Sequence, residues 1–215
     1  MSKLTQALDD LESSKSKKRV SAAKRLRKLA VPEAGPFLLK ALTNELLTAR
    51  TWEARYHMIA ALGYTRTEES LSLLWKMARE KQDFTILYMA LGDAIVRLSV
   101  SQRPLNAVLN EIYDTENFTL IYGAFRGIAG LKLVPTDDEI LKIFEMARDP
   151  RAVAQVMGFP NDPTGIRLPI VQAAAGWKPE LCAEFLGECQ AMGNQHLNRF
   201  VTSSLNGKYE KYDPY

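Results

Sequence analysis

Apolar residues recur along this chain at intervals of three and four, and no stretch alternates apolar with polar for long enough to make a strand. That spacing predicts helices almost everywhere, each with an apolar stripe on one side. Turn residues divide the chain into six helix pairs. The first members fall at about 2–13, 34–48, 67–81, 103–113, 136–148 and 179–192, and the second members at about 17–30, 52–63, 84–98, 118–131, 166–177 and 195–206. Thr67, Asp83, Asn117 and Thr136 stand where N-caps belong, and Thr136 with Glu139 fits a capping box.

The pairs repeat. Residues 62–78 read LGYTRTEESLSLLWKMA and residues 131–147 read LKLVPTDDEILKIFEMA, aligned without a gap at an offset of 69. That offset is two units of about 34 residues, the period of helical solenoids. Second helices end near Leu29, Leu62, Leu98, Leu131 and Ala175, in steps of 33, 36, 33 and 44. The long last step marks an insertion near 149–165, rich in proline, whose first part, 150–158, is a candidate for a short extra helix. One helix pair cannot bury its own apolar faces, so the core must come from stacking neighbours. The expected architecture is one all-α domain over 1–207, a right-handed α-α superhelix of about six helix pairs, followed by a flexible tail at 208–215.

Segment Gly35–Gly63 resembles a HEAT unit. Pro36 and the run Phe37, Leu38, Leu39 look like its proline-bearing first helix. Ala54, Arg55, Ala60, Ala61, Leu62 and Gly63 look like its V-R-x-x-A-A-x-A-L-G second helix. Lys18 through Leu29 and Pro179 through Gly193 are weaker matches. The resemblance to HEAT repeats implies an architecture without a chemistry: such arrays mostly bind proteins, and some bind nucleic acid, along the concave face made by the second helices. Ala54 stands where valine is usual, and the arginine recurs poorly in later units.

Composition adds boundaries. With 47% hydrophobic and 25% charged residues the chain has ample material for a core. No apolar stretch reaches the ~20 residues a bilayer span needs. The first residues, Met-Ser-Lys-Leu-Thr and then Asp9, Asp10 and Glu12, lack the apolar core of a secretory signal, so a cytoplasmic protein is expected. Cys182 and Cys189 lie seven apart on one expected helix, ~10 Å by rise, too far for a disulfide. Residues 1–30 hold nine basic and three acidic side chains, a charge of +6, while the remaining 185 residues carry −3. Lys17, Lys18 and Arg25, with Lys24 and Lys28, form a basic patch that suits phosphates or an acidic protein.

Aligning second helices on their terminal leucines gives a candidate binding face. Five residues before the leucine stand Lys24, His57, Asp93 and Arg126. One before stand Lys28, Ala61, Arg97 and Gly130. Nine before stand Val20, Glu53, Met89 and Tyr122. Four-residue spacing places these on one side of each helix. The polar members, Lys24, Lys28, Glu53, His57, Asp93, Arg97, Tyr122 and Arg126, are expected to be exposed as a ladder along the concave face, with Tyr88 beside them. Gly123, Gly127 and Gly130 leave one helix nearly bare, for a ligand or for close packing.

Signatures of catalysis are thin. His57 and His196 are the only histidines, and there is no C-x-x-C, H-E-x-x-H, G-x-S-x-G or phosphate-loop motif. No catalytic residue, metal site or cofactor is therefore assigned. Asp93 and Arg126 on successive second helices look somewhat like the acid and the phosphate contact of the HEAT-like alkylpurine DNA glycosylases, but no tryptophan stands beside Asp93. Pairing of Asp93 with Arg97, four residues on, is the plainer account. The expected function is a non-catalytic protein-binding adaptor, inhibitor or immunity-type module. The alternative is a nucleic-acid-binding HEAT-like protein, possibly glycosylase-like.

Overall fold

The computed structural model describes residues 2–47, 51–152 and 164–210, and among them every regular element is helical. The first helices are α1 (Lys3–Leu11), α3 (Gly35–Glu45), α5 (Leu71–Arg79), α7 (Leu105–Tyr113), α9 (Asp137–Arg148) and α11 (Pro179–Ala191). The second helices are α2 (Ser16–Leu29), α4 (Trp52–Tyr64), α6 (Ile86–Ser99), α8 (Phe118–Leu131), α10 (Arg167–Ala174) and α12 (Gln195–Leu205). Short 3-10 turns at Pro32–Ala34 and Glu68–Ser70 lead into α3 and α5. The helical periodicity thus places each helix to within a few residues.

Packing follows chain order. α2, α4, α6, α8 and α10 each lie against the next, and α1, α3, α5 and α7 each pack on their own second helix. α11 bridges back to α9, and α12 lies across both α10 and α11. The self-matching segments bury the same stripe: Leu74, Trp75 and Ala78 on α5, and Ile143, Phe144 and Ala147 on α9. α4 and α8 also stop alike. Arg66 and Lys132 take left-handed backbone, with φ of 54° and 55°. Thr67 N–H then donates to the Leu62 carbonyl, and Leu133 N–H to the Ile128 carbonyl, satisfying carbonyls the helix leaves open.

Caps divide. Asn117 accepts from the Thr119 and Leu120 amides, and the Thr136–Glu139 capping box is complete. Thr67 does not cap α5. Its hydroxyl pairs with that of Thr65 at 2.7 Å and is pressed against Gly35, where a Cβ would meet it at 2.2 Å. Asp83 does not cap either: α6 starts at Ile86, behind Thr85, while Phe84 is stacked on Trp52 at 5.6 Å.

Of the expected insertion, 150–152 are helical and Asp149 holds Arg151 at 2.7 Å; 153–163 lie outside the described residues. The last pair is secured across it by Phe144 stacked on Phe185 at 4.3 Å and by Arg148–Glu188 at 2.7 Å, and the segment leading into that pair by Trp177 Nε1–H donating to the Leu133 carbonyl at 2.9 Å. The start of the tail, expected to be flexible, is docked. Glu210 binds Arg199 at 2.9 Å and the Ser203 hydroxyl at 2.7 Å, and its carbonyl accepts from Gln172. Lys132 Nζ lies over the Tyr209 ring. These polar contacts supply what the tail's small apolar surface does not. Residues 211–215 lie outside the described residues.

Candidate functional site

The expected ladder lies on α2, α4, α6 and α8, but the structure corrects its exposure. His57 is 5% exposed, Asp93 1% and Arg126 4%. Tyr122 is buried and the Arg97 side chain nearly so. The cause is the closeness of the second helices. A Cβ on Gly92 would stand 2.1 Å from the Leu120 carbonyl oxygen, and one on Gly123 2.2 Å from that of Met89. With α6 and α8 in backbone contact, side chains that would face a groove are covered by the neighbouring helix. The spaced glycines are therefore packing residues. Gly127 meets Val96 in the same way, and Gly130 accommodates the Arg97 guanidinium.

The covered residues form a polar seam. Arg97 Nε–H donates to Asp93 Oδ1 at 2.7 Å, and Arg97 Nη2 reaches the Tyr64 hydroxyl at 3.3 Å. The Arg97 guanidinium lies over the Tyr64 ring at 4.0 Å and that of Arg27 at 5.5 Å. Arg126 Nη1 donates to the Tyr56 hydroxyl at 3.4 Å. Burial pushes the Tyr56 phenol up, opposed by Arg126. Burial, with Lys24 and Arg27 nearby, lowers His57 to about 4. The imidazole is thus neutral at pH 7, because the charged form loses water and faces like charges. Arg27, Tyr56 and Tyr64 were missed in the sequence, since they fall between the aligned columns. Two tyrosines on a helix otherwise rich in alanine were the available signal.

Outside the seam, Lys24, Lys28 and Glu53 keep their expected access to solvent on the rim. Lys24 and Glu53 pair at 3.6 Å. Tyr88 is turned away: its hydroxyl donates to the Glu80 carbonyl at 2.8 Å and accepts from the Gln82 amide. On the basic patch, Lys17, Lys18, Arg25 and Lys28 are exposed. Lys18 and Arg25 share Asp10, at 3.7 and 3.1 Å. Lys17 and Lys28 have no carboxylate within 4 Å among the described residues.

This arrangement offers little chemistry. Asp93 is held in an ion pair out of solvent. Both cysteines are buried and free, and burial raises their thiols to about 11 for Cys182 and about 12 for Cys189, so at neutral pH they remain protonated and weakly nucleophilic. Among the described residues no three His, Cys, Asp or Glu side chains gather as metal ligands, and no helix is long and apolar enough to cross a membrane. Comparison with family models, with curated proteins and with solved structures returns no match.

Proposed function

We propose that the chain is a HEAT-like α-α superhelix that works as a cytoplasmic, non-catalytic protein-binding adaptor, inhibitor or immunity-type module. The observation that carries this reading is the unbroken packing of α2, α4, α6, α8 and α10, each on the next, with the polar side chains of the seam bonded to one another. Such a stack is a rigid platform. A glycosylase needs its carboxylate open to an extruded base, whereas Asp93 is covered and bound to Arg97. The surface left for recognition is the rim, where Lys24, Lys28 and Glu53 stand beside the basic face of α2. Its mixed charges suit a protein with interspersed charge better than a continuous line of phosphates.

Nucleic-acid binding is the alternative, favoured by Lys17 and Lys28, which have no carboxylate within 4 Å among the described residues. A salt titration of labelled duplex and single-stranded DNA, with a base-release assay on alkylated DNA, separates the two. Under the adaptor reading, binding is weak and independent of sequence, and it disappears by about 150 mM salt. Neutralising Lys17, Lys18, Lys24, Arg25 and Lys28 abolishes it, and no base is released. Tight binding at that salt, or base release that depends on Asp93, would sink the adaptor reading. On the positive side, a protein captured from the native host and then purified must bind the chain directly, and must lose affinity when Lys24, Lys28 and Glu53 are charge-reversed.

A further inference from the structure

A cavity of about 460 Å³ opens between α1, the α1–α2 connection and α3. Leu8, Leu11, Phe37 and Ala41 form its apolar wall, and Phe37 is 48% exposed, unusual for an aromatic ring. Glu45, 4% exposed, forms its polar end. Glu45 Oε1 accepts from Arg19 Nε–H, and Arg19 Nη1 donates to the Ser13 carbonyl at 2.7 Å. Glu45 Oε2 is buried and accepts no hydrogen bond among the described residues. A buried carboxylate oxygen without a donor has lost its water for no return. A group that carries a donor into the cavity recovers that loss.

The surroundings select the donor. Glu45 already holds Arg19, and Glu12 at the rim holds Lys40 at 3.0 Å, so the charges in the wall are balanced pair by pair. An incoming ammonium or guanidinium would meet Arg19 and Lys40 as like charges. A neutral O–H or N–H on an apolar body meets none. The volume lies in the range of sites that enclose a small organic group. A phenol or an indole combines a flat apolar body with one donor, and the Phe37 ring offers a face or edge to pack on. Oε2 is covered as the side chain stands, and the broad terminal torsion of a glutamate is what would turn it to the cavity while Oε1 stays within reach of Arg19. We infer that this cavity seats a tyrosine or tryptophan side chain of a protein partner, with its O–H or N–H donated to Glu45 Oε2 and its ring against Phe37 and Leu8. The source of that side chain rests on the protein-binding reading above; its chemistry rests on the cavity alone.

The test needs no partner. N-acetyl-tyrosinamide, N-acetyl-tryptophanamide, N-acetyl-phenylalaninamide and N-acetyl-lysinamide are titrated into the full chain while backbone amide shifts are followed by NMR. The expected result is saturable shifts at Leu8, Leu11, Phe37, Ala41 and Glu45 with the tyrosine and tryptophan probes. The phenylalanine probe, which lacks the donor, binds about tenfold more weakly, the ratio for one hydrogen bond to a charged acceptor. Phe37→Ala, at a half-exposed position, weakens the tyrosine probe about fivefold. Equal binding of the tyrosine and phenylalanine probes, stronger binding of the lysine probe, or no saturable shift in the wild type overturns the inference. None of these results touches the adaptor reading, which the DNA and direct-binding experiments decide separately.

Discussion

At the scale of single residues, the seam turns two side chains with a catalytic look into structural ones. Asp93 is buried and its bond to Arg97 is short, so removing one charge strands the other in a covered site. Asp93→Asn is expected to destabilise the fold by about 3 kcal/mol, the cost of breaking a buried pair from one side. Urea unfolding reads this directly, and a variant as stable as wild type would show that the pair carries no load. His57 supplies a pH dependence. Burial and the nearby Lys24 and Arg27 lower its pKa to about 4 in the folded chain, below the ordinary imidazole value of 6.5, so between those values the unfolded chain binds more protons. The contribution of His57 to stability is then constant above pH 6.5 and is lost as pH drops from there towards 4, by up to about 3 kcal/mol. His57→Gln is expected to flatten that part of the stability profile, and an unchanged slope would assign the acid sensitivity to other groups. The asparagine or glutamine in each variant keeps a polar side chain of similar size, so the readout is charge and not volume.

At the scale of helices, approach distance decides what periodicity cannot. The four-residue spacing of Glu53 and His57 or of Asp93 and Arg97 does put them on one side of a helix, but that side stays open only where no neighbouring helix packs over it. Gly92 and Gly123 let the backbones of α6 and α8 come into contact. Gly123→Ala is expected to cost at least 2 kcal/mol or so, because its Cβ would meet backbone that cannot rotate away. Gly187→Ala on α11 meets nothing within 4 Å and is expected to stabilise by about 0.5–1 kcal/mol through helix propensity alone. Thermal melts of the two variants should move in opposite directions. A shared loss would mean that α11 needs its glycine for a reason other than space. The same logic explains the caps. Asn117 and Thr136 face free helix ends and act as their residue types predict, whereas the hydroxyl of Thr67 is claimed by Thr65 and by the wall of Gly35.

At the scale of the molecule, the mixed rim and the basic face of α2 are two parts of one end, and the charge count sees only their sum. The +6 of residues 1–30 already counts Asp10, which serves both Lys18 and Arg25, and it is offset further by Glu45 on Arg19 and Glu53 on Lys24. This local compensation is why weak, salt-sensitive attraction to polyanions is expected instead of a tight track. The tail shows the opposite correction: a segment with little apolar surface is held as far as Glu210 by hydrogen bonds and ion pairs made with α10 and α12.

Sequence alone determined the helices, their pairing, the two-unit repeat between α5 and α9, and the capping box of α9, because each depends on residues within a few turns of one another and is written as periodicity. It also identified His57, Asp93, Arg97, Tyr122 and Arg126 on the second helices, though not Arg27, Tyr56 or Tyr64, and the partnership of Asp93 with Arg97, an i,i+4 relation within one helix. Only the tertiary structure decided that His57, Asp93 and Arg126 are covered, that Tyr88 is tied to the α5–α6 connection, and that Glu45 meets Phe37 and Leu8 around a cavity. Those outcomes depend on how near one helix comes to the next. That distance is set by contacts such as Gly92 on Leu120, between residues that no local pattern links.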